Sequence, residues 1–131
     1  MRTLIAEDDA TGRMLLKKFF SDYGECDIAV DGIEALESYL TAYDEKKPHD
    51  LICLDIMMPR LDGLSVLKAI RSIEKERDVP DNRKVNVIMT TALNDKKTVL
   101  DSYELDCQAF AWKPIDLKKI KEVLKKLELI D

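Results

Sequence analysis

The run Leu51-Ile52-Cys53-Leu54 constrains the fold more than any other stretch of the chain. Four consecutive apolar residues with no polar alternation describe a strand covered on both faces, the mark of a parallel sheet with its helices outside. The run ends in one carboxylate, Asp55, followed by Met58-Pro59 and then by Asp62-Gly63, which can open a helix. In such sheets ligands gather beyond the carboxyl ends of the strands, so Asp55 stands where chemistry would be. Alone, a strand-terminal aspartate is more often a turn former or a helix cap than a nucleophile, and the rest of the chain must supply its partners.

Four more short apolar runs alternate with helical periodicity. Residues 3–6 read as a strand ending in Glu7, Asp8 and Asp9, after which Leu15, Leu16, Phe19 and Phe20 recur at helical spacing, with Asp9 as cap and Gly24 as stop. Residues 27–30 give a second strand, and Asp31-Gly32-Ile33-Glu34 has the spacing of a capping box. It opens a helix with Ile33, Leu36, Leu40 and Tyr43 inward, ending near Asp44. A charged connector containing the single histidine, His49, leads to the central strand, and His49 reads as a solvated loop residue. Asp62 opens a third helix with Leu64, Leu67, Ile70 and Ile73 inward, and residues 74–84 form a polar connector expected to be mobile. Residues 85–89 are a fourth strand delivering Thr90 and Thr91. Asn94 can cap a helix whose apolar stripe, Val99, Leu100 and Tyr103, is thin enough to make it the least firmly docked. Residues 109–112 form a fifth strand ending in Lys113-Pro114. Asp116 caps a last helix with Leu117, Ile120, Leu124 and Leu127 inward and five lysines, 118, 119, 121, 125 and 126, outward, a solvated face or a partner surface. Five alternations of strand and helix with right-handed crossovers make a doubly wound α/β domain, one unit over residues 1–131.

Composition removes several classes of function. With 131 residues and 46% hydrophobic content the chain can build one core, and a net charge of −5 argues against direct binding to nucleic acid. Cys26, Cys53 and Cys107 are odd in number and lack metal-ligand spacing, so they read as reduced core residues. No signal segment or membrane-length apolar run is visible, which implies a cytoplasmic protein without a membrane contact.

The strand ends converge on one edge: Glu7 and Asp8 after the first, Asp55 after the third, Thr91 after the fourth, Lys113 after the fifth. Carboxylates gathered so closely repel unless a cation neutralises them, and hard oxygen donors suit Mg²⁺. A bound metal and Lys113 could then receive the oxygens of a phosphoryl group while an Asp55 oxygen attacks phosphorus.

Taken together, Glu7-Asp8, Asp31-Gly32 with Glu34-Ala35-Leu36, Asp55 with Met58-Pro59 and Asp62-Gly63, Thr91-Ala92 and Lys113-Pro114 resemble, end to end, the receiver domain of bacterial response regulators, the CheY-like group. The resemblance implies a five-stranded parallel sheet of order 2-1-3-4-5 and a switch, not an enzyme acting on other substrates. Asp55 would accept a phosphoryl group from a sensor histidine kinase or a histidine phosphotransfer protein. Glu7, Asp8, Asp55 and the backbone carbonyl of Met57 would hold Mg²⁺ or Mn²⁺. Lys113 would pair with the phosphoaspartate, and Thr91 would swing its hydroxyl onto a phosphoryl oxygen. Phe110 matches the family's switch aromatic, and the fourth helix, fifth strand and fifth helix would dock a downstream target. The family's Lys-Pro bond is usually cis.

Some positions depart from the pattern. Phe110 has no hydroxyl, leaving only a steric coupling. Asp106 replaces the glycine that usually ends the fourth helix, so that end is expected to differ. Met57 and Leu93 stand two residues beyond Asp55 and Thr91, where neither can orient a hydrolytic water, and slow self-dephosphorylation is expected. An aspartyl-phosphate hydrolase would need an acid at position 57, and a flavin phosphate would be repelled by Glu7-Asp8-Asp9. A phosphorylation-independent pseudo-receiver is the remaining alternative. The chain stops soon after its last helix, which leaves open a stand-alone switch or a piece of a longer regulator.

Overall fold

A computed structural model describes residues 1–92 and 96–131; Asn94 and Leu93, a cap and a water-route residue in the reading above, lie outside the described residues. In chain order the elements are β1 (Thr3–Ala6), α1 (Ala10–Ser21), β2 (Cys26–Ala29), α2 (Gly32–Asp44), β3 (Leu51–Asp55) and α3 (Gly63–Glu76). A 3-10 turn (Asp81–Arg83) follows, then β4 (Asn86–Thr91), α4 (Lys96–Glu104), β5 (Ala109–Trp112) and α5 (Leu117–Lys126).

The sheet is parallel throughout, in the order β2-β1-β3-β4-β5. The chain steps one way from β1 to β2 and the other way in every later crossover, so right-handed connections place α1 on one face and α2, α3 and α4 on the other; α5, after the last strand, packs on the α1 face through Ile120 and Leu124. Two cores result. Leu4, Ile52, Leu54, Val87 and Met89 pack against Tyr39, Val66, Leu67 and Ile70, while Ile5, Leu51, Cys53 and Ile88 pack against Leu16, Phe20, Ile120 and Leu124. The central strand β3 is buried on both faces, as an unbroken apolar run requires. Aspartates start four helices: the side chains of Asp9, Asp31, Asp62 and Asp116 accept hydrogen bonds from the backbone N–H groups of Gly12, Glu34, Ser65 and Lys118.

Several expectations are corrected. His49 is buried, with Nε2 2.7 Å from the Asp27 carboxylate, which also accepts from Arg2 Nε at 2.8 Å. Glu74 opens no loop. It lies inside α3, buried, paired with Arg71 at 2.7 Å and accepting from the Val85 N–H at 2.8 Å. The inner face of α2 is centred on Ala35, Tyr39 and Ala42, with Ile33 and Tyr43 only half-buried. Leu15 points outward from α1, and on α4 Leu100 and Tyr103 are exposed while Ser102 is buried. Asp106 does adopt the left-handed conformation, φ 68°, with its carbonyl held by Arg71 Nη2 at 2.7 Å.

Candidate functional site

Strand register assembles the site. Ala6 is level with Leu54, so the next residues, Glu7 and Asp55, emerge side by side from adjacent strands at the point where the chain reverses its winding direction. Asp55 is level with Thr90, and Thr91 with Trp112, which sets Thr91 and Lys113 successively further along the same edge. The Lys113 N–H donates to the Thr91 carbonyl at 2.8 Å, and the peptide bond from Lys113 to Pro114 is cis.

Glu7 and Asp55 are almost wholly buried, while Asp8 is exposed. Lys113 Nζ lies 2.5 Å from Glu7 Oε1 and 2.9 Å from Asp55 Oδ2, bridging the two. The other oxygen of Asp55 accepts from the Met57 N–H at 3.2 Å. Carboxylate oxygens of Glu7, Asp8 and Asp55 lie within 4.8 Å of one another. Burial raises the Glu7 carboxyl above its ordinary range and Asp55 adds to this, against the pull of Lys113. For Lys113 burial works downward, but Glu7 and Asp55 outweigh it and hold the ammonium above its ordinary value. One ammonium against three carboxylates leaves excess negative charge among hard oxygen donors, which fits a divalent cation such as Mg²⁺.

The loop after β3 is held from both ends. Its Ile56 N–H donates to the Thr90 carbonyl at 3.0 Å, and the Gly63 N–H returns to the Ile56 carbonyl at 2.8 Å. A side chain on Gly63 would run into the Asp55 carbonyl, so only glycine allows α3 to start this close to the site. Arg60 pairs with Asp31 at 3.3 Å, tying the loop to the start of α2. Met57 projects outward, 57% exposed, beside an open cleft of about 460 Å³ lined also by Asp8, Ile56, Met58 and Asp62.

The edge thus brings together Glu7, Asp8, Asp55, Lys113, the Met57 backbone and the buried Thr91. Phe110 sits apart from them on β5, packed against the core, its ring centroid 4.8 Å from that of Trp112, which is 46% exposed. Sequence reading missed Arg13: its Nη1 donates to the carbonyls of Glu7 and Asp8 at 3.0 and 2.8 Å and so orients the acidic turn. The available signal was an arginine one helical turn past a run of acids.

Known proteins share this organisation. The family model described as the response regulator receiver domain matches residues 3–125. Chemotaxis protein CheY of Bacillus subtilis is 30% identical over 127 residues, covering 95% of both chains. Hybrid signal transduction histidine kinase L of Dictyostelium discoideum is 32% identical over 126 residues, or 95% of this chain. The probable transcriptional regulator ycf29 of Porphyra purpurea is 30% identical over 125 residues, again 95% of this chain. The chain spans only 7% of the kinase and 54% of the regulator. Among solved structures, a chain of the CheX-CheY-BeF3-Mg²⁺ complex from Borrelia burgdorferi superposes with a TM-score of 0.83 at 28% identity, covering 98% of this chain and 89% of that one. Among the described residues no helix is long and apolar enough to cross a membrane. With five parallel strands in the order β2-β1-β3-β4-β5 and a family match across nearly its whole length, the chain belongs to the response regulator receiver domains of two-component signalling.

Proposed function

We propose that the chain is a single receiver unit that takes a phosphoryl group onto Asp55 and passes the event to a partner-binding surface. The observation that carries this reading is the buried Asp55 carboxylate bridged through Lys113 to Glu7, within reach of Asp8. Glu7, Asp8, Asp55 and the Met57 carbonyl would hold Mg²⁺, which when bound neutralises charge on the phosphoryl oxygens. The donor is a phosphohistidine on a sensor kinase or a phosphotransfer protein. An oxygen of Asp55 forms the bond to phosphorus as the P–N bond breaks, and the electron pair stays on the imidazole nitrogen, which then takes a proton. Lys113 follows the charge, turning from the two carboxylates to the new phosphoryl oxygens.

Thr91 would donate its hydroxyl to a phosphoryl oxygen, and the space it leaves lets Phe110 move inward, coupling the site to the surface of α4, β5 and α5. Exposure of Leu100, Tyr103 and Trp112 supports that surface as the one read by a target protein. The Mg²⁺ and BeF3 named with the Borrelia CheY complex, and the kinase relative, support the same chemistry and donor class. The setting is cytoplasmic, and the only covalent chemistry is the domain's own phosphorylation and its hydrolysis. Fluorine NMR of beryllofluoride with Mg²⁺ tests this: a bound signal is expected with wild type and not with Asp55→Asn, and its absence from wild type favours the pseudo-receiver alternative.

A further inference from the structure

Gly12 occupies the first turn of α1, where nothing in the backbone calls for glycine. Its φ lies outside the left-handed region, and its N–H makes the ordinary capping bond to Asp9 at 2.9 Å. A helix forms more readily with alanine than with glycine. The other glycines differ, since a Cβ at Gly24, Gly32 or Gly63 would strike backbone atoms of Met1, Leu61 or Asp55. At Gly12 the nearest atoms it would meet belong to acidic side chains: Asp9 Oδ2 and Glu7 Oε1, each at 3.2 Å, and Glu7 Cγ at 3.4 Å. The Asp9 contact has a local origin in the cap, since the same oxygen accepts from the Gly12 N–H.

The Glu7 contact has no such local origin. Glu7 precedes the helix, and its carboxylate has little room to yield. Oε1 is against Lys113 Nζ at 2.5 Å, Oε2 accepts from the Asp9 N–H at 3.3 Å, and the residue is 1% exposed. We propose that Gly12 is a positioning residue, its missing side chain being the space that lets the glutamate at position 7 set its carboxylate beside Asp55 and Asp8. This rests on the reading of those acids as a metal site. It further implies that positions 7 and 12 are matched: a shorter acid at position 7 would not need glycine at position 12.

The test is a four-protein cycle of wild type, Gly12→Ala, Glu7→Asp and the double variant, with Mg²⁺ affinity measured by calorimetry and folding by circular dichroism. Alanine should leave the fold intact. It should weaken Mg²⁺ roughly tenfold in the wild-type background, the low end for a residue that orients a metal ligand. In the Glu7→Asp background the same change should cost less than about threefold, so that the double variant loses less than the two single losses combined. Equal Mg²⁺ affinity in Gly12→Ala and wild type, or an equal loss in both backgrounds, overturns the assignment. No Mg²⁺ binding by wild type removes the metal reading itself, an outcome distinct from a failed cycle.

Discussion

Lys113 is the residue on which the charge balance of the site turns. It bridges two buried carboxylates, and removing an ammonium from such a pair leaves uncompensated charge in a dry setting. Lys113→Ala should therefore destabilise the metal-free chain by about 1–3 kcal/mol in urea unfolding. Mg²⁺ should recover part of that loss. Met57 sets a different property. Its exposed side chain sits two residues past Asp55 beside the cleft and has no group that could order a water. Met57→Glu should speed loss of the phosphoryl group by about tenfold or more, below the usual range for a positioned general base. Phosphoryl lifetimes read by intact mass in excess Mg²⁺ check this, and a wild-type lifetime of seconds would contradict the slow hydrolysis expected here. At this scale the sequence showed the acids, the hydroxyl and the lysine, because each follows an apolar run and shares one edge. Arg13 was less legible, because its acceptors are backbone carbonyls and its sign in the sequence is no more than its place one helical turn past the acids.

At the scale of elements, Arg71 joins α3 to the start of β4 and to the turn between α4 and β5. Its guanidinium reaches Glu74, the Val85 carbonyl, the Asp106 carbonyl and Gln108 Oε1. Arg71→Met keeps much of the apolar stem and deletes these bonds. It should lower stability by about 3 kcal/mol, since Glu74 is left buried without its cation. Denaturant midpoints measure this, and a change of a few tenths of a kcal/mol would contradict the role. Strands and helix starts were legible because apolar runs and capping aspartates are local signals. The inner face of α2 was not. Apolar residues occur around most of that helix, so the stripes through Ile33 and Ala35 overlap, and only packing against the sheet selects the second. The turn at Asp106 was also misjudged. Its left-handed backbone is stabilised by an arginine 35 residues earlier, a distance over which sequence pattern is silent.

For the whole molecule, the edge opposite the site contributes a pH dependence. Burial lowers the His49 pKa below its ordinary 6.5 despite the nearby Asp27 carboxylate, and among the described residues its buried Nδ1 has no hydrogen-bond partner. The unfolded chain therefore binds a proton at this ring more readily than the folded one. Stability is intact above about pH 6.5 and falls as pH drops from there toward the lower folded value. Asp27, held down by Arg2 and His49 against its burial, adds a second loss only below about pH 3.8. Urea midpoints between pH 7.5 and pH 5, roughly spanning the ordinary histidine range, should decline in wild type and stay flatter in His49→Gln. Equal slopes would show that His49 does not titrate differently on folding.

The phosphoryl group on Asp55 is the claim from which the switch, the partner surface and the role of Met57 all follow. Intact-mass spectrometry after incubation with acetyl phosphate and Mg²⁺ tests it most directly. The account predicts one added phosphoryl group on wild type, none when Mg²⁺ is chelated beforehand, and none on Asp55→Asn. A phosphoryl group still present on Asp55→Asn, or no addition to wild type at saturating donor, would contradict it.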